Sequence, residues 1–270
     1  MKNKELVESL SPAELKVIVQ GLRGGKKKVA VHKHDFGKKR IRFGYFSDPH
    51  IGAKEFDWKL WETMVVYFKQ NGITTVYSPG DIVEGMSNRP GQIYDLEAIG
   101  FRAQVALAAK AMTMLHGIDV YSILGNHDLF FKDKSGCDAS VGESLQDKCP
   151  NYHHLGDWEA DIVLGKDVRM KLYHANDGTA YATSYKLQKL IESFQGGDKP
   201  AIVLSGHYHK ALYMFSRNVH GFECGTMCGQ TQWMRGKKIP AHKGFGVIDI
   251  TVAEKGGIET LNHTFFPSYS

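Results

Sequence analysis

Five apolar runs in this chain each stop at a small cluster of polar donors, and that recurrence limits what the chain can fold into. The runs end in Phe46-Ser47-Asp48-Pro49-His50, Ser78-Pro79-Gly80-Asp81, Gly125-Asn126-His127-Asp128, Leu172-Tyr173-His174 and Leu204-Ser205-Gly206-His207-Tyr208-His209. In an α/β protein the loops beyond the carboxyl ends of strands converge on a crevice, so donors far apart in sequence meet there. Residues two apart in an extended segment point the same way, which pairs Asp48 with His50 and His207 with His209. The donors are nitrogen and oxygen, without a thiolate. Such a set suits divalent cations, with Mn²⁺ the expected ion and Fe²⁺, Zn²⁺, Ni²⁺ or Co²⁺ the alternatives. Seven ligands exceed the four of one tetrahedral zinc and fit two adjacent cations that share a carboxylate.

Between the clusters the periodicity alternates. Residues 41–46 and 73–77 read as strands. Residues 57–70 have helical spacing through Trp58, Trp61, Val65 and Phe68, closed by Asn71-Gly72. An alanine-rich helix is expected over 94–116, ending at Gly117, and a strand over 120–124. The runs 159–164 and 168–173 read as a hairpin joined by Gly165-Lys166. A helix over 181–194 and a strand over 201–204 follow, and from Leu212 the chain reads as β, with strands at 213–215 and 245–252. The sum is a mixed α/β layer protein with a strand-rich C-terminal half.

The chain has 270 residues, of which 42% are hydrophobic and 23% charged. That composition supports a sizeable core and excludes global disorder. Its net charge of +5 is unevenly placed. Between Arg23 and Arg42 stand nine Lys and Arg against one acid, Asp35, a local +8 that leaves the remainder at −3. A basic strip attracts phosphate backbones by counterion release. A solvated linker, or a β-hairpin with lysines on its open face, explains it as well. Residues 1–22 read as a helix that opens on Ser11-Pro12-Ala13-Glu14 and ends at Gly24-Gly25. A boundary is expected near Arg40, giving an N-terminal helix with basic strip (1–40) and a catalytic domain (41–270). No apolar run approaches the ~20 residues that span a bilayer, and the N-terminus lacks the apolar core of a signal peptide. The four cysteines match no zinc ribbon and read as reduced thiols, so a cytoplasmic location without a membrane is expected.

The ordered set Asp-x-His, Gly-Asp, Gly-Asn-His-Asp, His and Gly-His-x-His resembles the calcineurin-like metallophosphoesterases over roughly residues 41–255. The resemblance implies a four-layer α/β/β/α sandwich, with two facing mixed β-sheets flanked by helices, and a dinuclear metal enzyme. It implies that Asp48, His50 and His209 bind one cation, that Asn126, His174 and His207 bind the other, and that Asp81 bridges them. His127 would protonate the leaving oxygen, and Asp128 would orient and charge that histidine. A metal-bridging hydroxide is the expected nucleophile.

Departures from the family pattern bear on the substrate. Protein serine/threonine phosphatases of this superfamily show Gly-Asp-x-Val-Asp-Arg-Gly. Here the stretch reads Gly80-Asp81-Ile82-Val83-Glu84-Gly85, without the arginine that grips a phosphomonoester. Arg89 is a candidate substitute. Trp233 and Arg235 lie in a basic loop whose aromatic suits base stacking, with an ordinary surface loop as the alternative. The expected activity is phosphodiester hydrolysis on nucleic acid, resembling repair nucleases. The alternatives are a phosphomonoesterase or cyclic-nucleotide phosphodiesterase on small molecules, and an inactive metal-binding scaffold.

Overall fold

The structure, a computed structural model, describes residues 31–269 apart from Lys38, Asn88, Gly136 and Cys137. The helix expected over 1–22 and the basic strip up to residue 30 lie outside the described residues.

Apolar and β-branched runs between turn residues become twelve strands among the described residues. They are β1 (Val31–His34), β2 (Arg40–Tyr45), β3 (Thr75–Ser78), β4 (Asp119–Leu124), β5 (Tyr152–Asp157) and β6 (Glu159–Leu164), then β7 (Val168–His174), β8 (Ile202–Gly206), β9 (Ala211–Ser216), β10 (Val219–Cys224), β11 (Gly244–Val252) and β12 (Ile258–Pro267). Five helices accompany them: α1 (Trp58–Gln70), α2 (Phe101–Met114), α3 (Val141–Lys148), α4 (Tyr185–Ser193) and α5 (Gln232–Lys237). The strands form two six-stranded mixed sheets, ordered β1-β6-β7-β8-β10-β9 and β12-β11-β2-β3-β4-β5.

Alternation along the strands builds the layers. On β2, Ile41, Phe43 and Tyr45 point between the sheets, where they meet Ile162, Leu172, Leu204 and Phe222 of the first sheet. The other face of the second sheet is covered by α1, α2 and α3, whose Trp61, Met64, Phe68, Ala108, Met112 and Leu145 are buried there. Helix α4 covers the far face of the first sheet through Leu187 and Ile191, against Val203 and Val219. The order is α/β/β/α.

Local chemistry sets the helix ends. The Asp57 side chain accepts from Leu60 N at 2.9 Å and caps α1, satisfying a donor that the helix itself cannot. Trp61 Nε1 donates to Ala111 O at 3.2 Å and ties α1 to α2. The helix expected over 94–116 begins only at Phe101. Gly100 ahead of it sits at φ 86°, outside the helical region, and Gln92–Asp95 form a separate short turn. The 159–173 hairpin is found, with β6 and β7 antiparallel from Glu159↔Tyr173 to Leu164↔Val168.

Part of the basic strip is built into the sheets. Strand β1 pairs in parallel with β6, so a boundary at Arg40 cuts behind a strand that already belongs to the first sheet. Arg40 and Arg42 reach Asp249 at 3.5 and 3.4 Å, and Lys39 reaches Glu259 at 3.4 Å. Strands β2, β3 and β4 run parallel, as do β7 and β8, so in each sheet the carboxyl ends of the cluster-bearing strands lie along one edge.

Candidate metal centre

The five loops beyond β2, β3, β4, β7 and β8 meet. Backbone bonds join the first two: Asp48 N donates to Gly80 O at 3.2 Å, His50 N to Asp81 O at 3.1 Å and Ile51 N to Ile82 O at 2.9 Å. His207 N donates to Asp48 Oδ1 at 2.8 Å, and His127 N to Asp81 Oδ1 at 2.9 Å. Asp48, His50, Asp81, His207 and His209 all have positive φ, between 47° and 86°. Residues with a Cβ seldom take that conformation, and they keep it only where the surroundings over-determine it, as this bonding does. Gly125 admits the same crowding, since a Cβ there would stand 2.2 Å from Asp81 Oδ1 and 2.5 Å from His174 Cε1.

The seven expected ligands come together. Ligand atoms of Asp48, His50 and His209 lie within 4.8 Å of one another, as do those of His50, Asp81 and His127, and of Asp81, His174 and His207. His50 Nε2 is 2.9 Å from His209 Nε2, which is 3.5 Å from Asp48 Oδ1. Asp81 Oδ2 is 3.7 Å from His50 Nε2 and 3.2 Å from His174 Nε2, so it stands between the two halves. Asn126 Oδ1 lies 3.1 Å from His174 Nε2 and 2.9 Å from His207 Nδ1. Donors bound to one cation at ~2.1 Å stand about 3–3.5 Å apart, close to the 2.9–3.7 Å found here.

Tautomers sharpen the fit. A carbonyl oxygen only accepts, so a ring nitrogen facing it carries the proton, and in a neutral imidazole the other nitrogen presents a lone pair. His174 Nδ1 faces Pro79 O at 2.7 Å, which frees Nε2 toward Asp81 and Asn126. His207 Nε2 faces Asp177 O at 2.9 Å, which frees Nδ1 toward Asn126. His50 Nδ1 lies 2.9 Å from Glu84 Oε2, an ion-pair distance outside hydrogen-bond alignment, and its Nε2 faces inward. His174 and His207 thus each aim a lone pair at the shared space, and His50 turns Nε2 toward it with Nδ1 beside a carboxylate, the arrangement of metal-binding histidines. The donor set fits two divalent cations: Asp48, His50, Asp81 and His209 for one, and Asp81, Asn126, His174 and His207 for the other.

The field of the site favours a cation. Burial would raise Asp48 and Asp81, but the surrounding histidines hold both below the usual carboxylate range. Burial works against charge on His174, yet Asp81 and Asp48 outweigh it and raise its pKa to about 9. The attraction that keeps a proton on His174 is available to a metal ion in its place. Burial and the neighbouring His174 lower His207 to about 4, which keeps that ring neutral for ligation.

Two residues next to the ligands have partners that adjacency in sequence does not reveal. Asp128, expected to orient His127, does something else. Its buried carboxylate accepts from the backbone N–H groups of Val83 at 2.8 Å, Gly125 at 3.0 Å and Ile82 at 3.1 Å. The tight turn after Gly125 folds Asp128 back onto its own loop and the Asp81 loop, so it braces the ligand loops. His127 is oriented by residue 84: its Nδ1 faces Glu84 O at 2.6 Å, and Glu84 Oε2 lies 3.5 Å away. The one sequence signal for Glu84 is its place three residues after Asp81, where the phosphatase pattern also has an acid.

A cleft of about 360 Å³ opens above the ligands. Its floor includes Asp81, Asn126, His127 and His207, and its walls Arg89, Tyr208, Cys228, Trp233 and Met234. Arg89 and Trp233 therefore reach the expected place. Arg235 does not, because it lines a separate cavity with Glu55, Gln230 and His242. Two residues along a helix turn the side chain by about 200°, so α5 cannot aim both Trp233 and Arg235 into one cleft. Cys149, Cys224 and Cys228 are buried free thiols, and none belongs to the metal-type groups found among the described residues.

A family model for calcineurin-like phosphoesterases matches residues 41–211. The DNA polymerase II small subunit of Archaeoglobus fulgidus is 25% identical over 264 residues, covering 82% of this chain and 52% of that protein. The chain thus spans about half the length of the curated relative it matches. Among solved structures, a 5'-nucleotidase precursor from Thermus thermophilus shares the fold with a TM-score of 0.50 at 11% identity, over 84% of this chain and 54% of that one. A novel archaeal phosphodiesterase superposes with a TM-score of 0.49 at 16% identity, over 84% of this chain and 100% of that one. Among the described residues no helix is long and apolar enough to cross a membrane.

Proposed function

Because the chain belongs to the calcineurin-like phosphoesterase family, we propose that it is a metal-dependent hydrolase of phosphodiester bonds whose substrate is nucleic acid. The observation that carries this reading is the convergence of Asp48, His50, Asp81, Asn126, His174, His207 and His209, with the ring lone pairs of His174 and His207 and Nε2 of His50 turned inward. Two divalent cations, Mn²⁺ foremost, would supply Lewis acidity to the phosphoryl oxygens and acidify water. Asn126 is a neutral ligand, which limits the excess negative charge facing an incoming phosphate.

His127 is the candidate general acid. Its Nδ1 is fixed against the Glu84 carbonyl, which leaves Nε2 as the nitrogen that exchanges a proton. The residue lines the cleft, so Nε2 can serve the oxygen of a leaving group there.

The choice of a diester rests on Gly85. This loop position carries the monoester-gripping arginine in the related phosphatases. Here it is a glycine at φ 67°, and a Cβ would stand 2.2 Å from His127 O. Arg89, the cleft's own arginine, is bonded to Asp95 at 2.7 Å. The name of the Archaeoglobus relative supports a nucleic-acid setting. The described part of the basic strip adds little, since Lys39, Arg40 and Arg42 face acids. The buried free thiols fit a reducing, cytoplasmic compartment.

The test is a substrate panel with Mn²⁺: bis-p-nitrophenyl phosphate, p-nitrophenyl phosphate, single- and double-stranded DNA, and a cyclic nucleotide. Turnover of the diester and of DNA is expected. Turnover of the monoester alone, or of the cyclic nucleotide alone, rejects the reading. A metal-loaded sample that turns over nothing makes the chain a binding scaffold.

A further inference from the structure

One wall of the cleft carries an aromatic–cation pair for which the chemistry at the metal ligands has no use. Trp233 is 44% exposed although it lines the cleft, and its indole has the Arg89 guanidinium 5.4 Å from its centroid. Both partners are held. Arg89 Nη2 donates to Asp95 at 2.7 Å. Helix α5 is capped by Thr231, whose side chain accepts from Met234 N at 3.2 Å, and it is anchored by the buried Met234. A large aromatic left half open in a cleft, with its orientation set by a bonded arginine, is a stacking surface in waiting.

The dimensions decide what stacks there. The cleft holds about 360 Å³. That is near the lower end of small-molecule sites, which start at about 300 Å³. It admits one nucleotide-sized group beside the ligand floor and is too small to enclose a base pair. A base within a duplex keeps its faces covered by its neighbours, and it presents one only when extruded or unpaired. Every base has a π-face, so a tryptophan platform recognises a nucleobase without reading its sequence.

We propose that Trp233, steadied by Arg89, is the subsite for a single unpaired nucleobase next to the scissile phosphate, and that the chain selects single-stranded or frayed ends over intact duplex. This rests on the nucleic-acid reading above and narrows it.

The test separates the two. Binding of the full chain to a fluorescein-labelled (dT)8 oligonucleotide is followed by anisotropy, with chelator present so that nothing is cleaved. Trp233→Ala is expected to weaken binding roughly tenfold to a hundredfold, the range of one base–aromatic stack. Trp233→Phe, which keeps a π-face, is expected to retain most of the affinity. An unlabelled duplex of the same length is expected to compete poorly. Equal affinity of Trp233→Ala and wild type, or equal competition by duplex, overturns the proposal. With Mn²⁺, the ratio of kcat/KM for thymidine 5'-(p-nitrophenyl phosphate) over methyl p-nitrophenyl phosphate is expected to fall in Trp233→Ala by a similar factor. The two esters share a leaving group and differ in the nucleoside, so an unchanged ratio also overturns it. A wild type that hydrolyses neither ester, but whose (dT)8 binding still depends on Trp233, sinks the hydrolytic reading and upholds the subsite.

Discussion

Glu84 stands against His50, its Oε2 2.9 Å from the ring's Nδ1, on a carboxylate that is only 6% exposed. Gln92 Nε2 donates to its other oxygen at 3.0 Å. Burial would raise this acid, but His127 and His50 bring it down to about 2, so it is an anion at neutral pH. A fixed negative charge behind a ligand ring turns its other nitrogen toward the cation and makes that nitrogen more basic. Glu84→Ala is therefore expected to weaken divalent-cation binding by about 10- to 100-fold, with Glu84→Gln intermediate. Calorimetric titration with Mn²⁺ measures it, and an unchanged affinity contradicts the role.

His127→Asn is expected to keep its metal content, since the seven ligands remain. On a diester with a poor leaving group its rate should fall by about 10²–10⁴, the usual contribution of a general acid. With a p-nitrophenyl leaving group, which needs little protonation, the fall should be smaller. Equal losses on the two esters would remove the acid role.

Asp128→Ala leaves three buried N–H donors, those of Ile82, Val83 and Gly125, without their acceptor. Each orphaned donor costs about 1–3 kcal/mol. Urea denaturation is expected to show a drop of several kcal/mol, with a smaller one for Asp128→Asn, which keeps an acceptor oxygen. If Asp128→Ala instead folds as stably as wild type and loses only rate, its role is chemical and not structural.

Gly85→Ala places a Cβ 2.2 Å from His127 O on a backbone at φ 67°. The conformation alone is worth about 1–3 kcal/mol against a residue with a Cβ, and the clash adds to it. Lower stability and lower activity together are expected, because His127 must move. Gly85→Arg should likewise fail to install a phosphomonoesterase, which assay on p-nitrophenyl phosphate checks.

Glu223 is 3% exposed, and neither of its carboxylate oxygens has a well-aligned hydrogen-bond partner among the described residues. Burial pushes its pKa up to about 7 despite nearby Lys210. Its folded-state pKa lies above the ordinary 4.5, so the folded protein holds the proton more tightly than the unfolded chain does. The contribution is fully present below pH 4.5 and is lost as pH rises through about 7. The loss amounts to at most about 3.5 kcal/mol, the equivalent of moving the acid from 4.5 to about 7. Glu223→Gln is expected to flatten the stability profile between pH 4.5 and 7.5 in denaturant titrations. An identical slope in variant and wild type rejects the assignment.

Much of the ligand set was legible because each donor follows a strand, and strand ends can be read from apolar runs and their breaks. Asp48, Asp81, Asn126 and His207 needed no contact information to be singled out. The contact of Glu84 with His50 was not legible, since the two lie 34 positions apart and share no period. For Asp128, adjacency to His127 suggests contact, whereas a tight turn sends neighbouring side chains apart. Arg235 fails for the same kind of reason, on the far side of α5 from Trp233. The helix expected from residue 94 starts late because Gly100 takes an extended backbone of positive φ, open to glycine and outside the helical region, that composition does not announce.

By itself, then, the amino-acid order determined the α/β alternation and the inventory of donors, because both are local: periodicity selects the element, and the element's end presents the side chain. Which nitrogen of each histidine faces the shared space was decided only by the tertiary structure. The oxygens behind those rings belong to Pro79, Glu84 and Asp177, on loops remote from the histidines they orient. Asp177 follows His174, the last residue of β7, by three positions, yet the ring that Asp177 fixes is that of His207, which only folding brings to it.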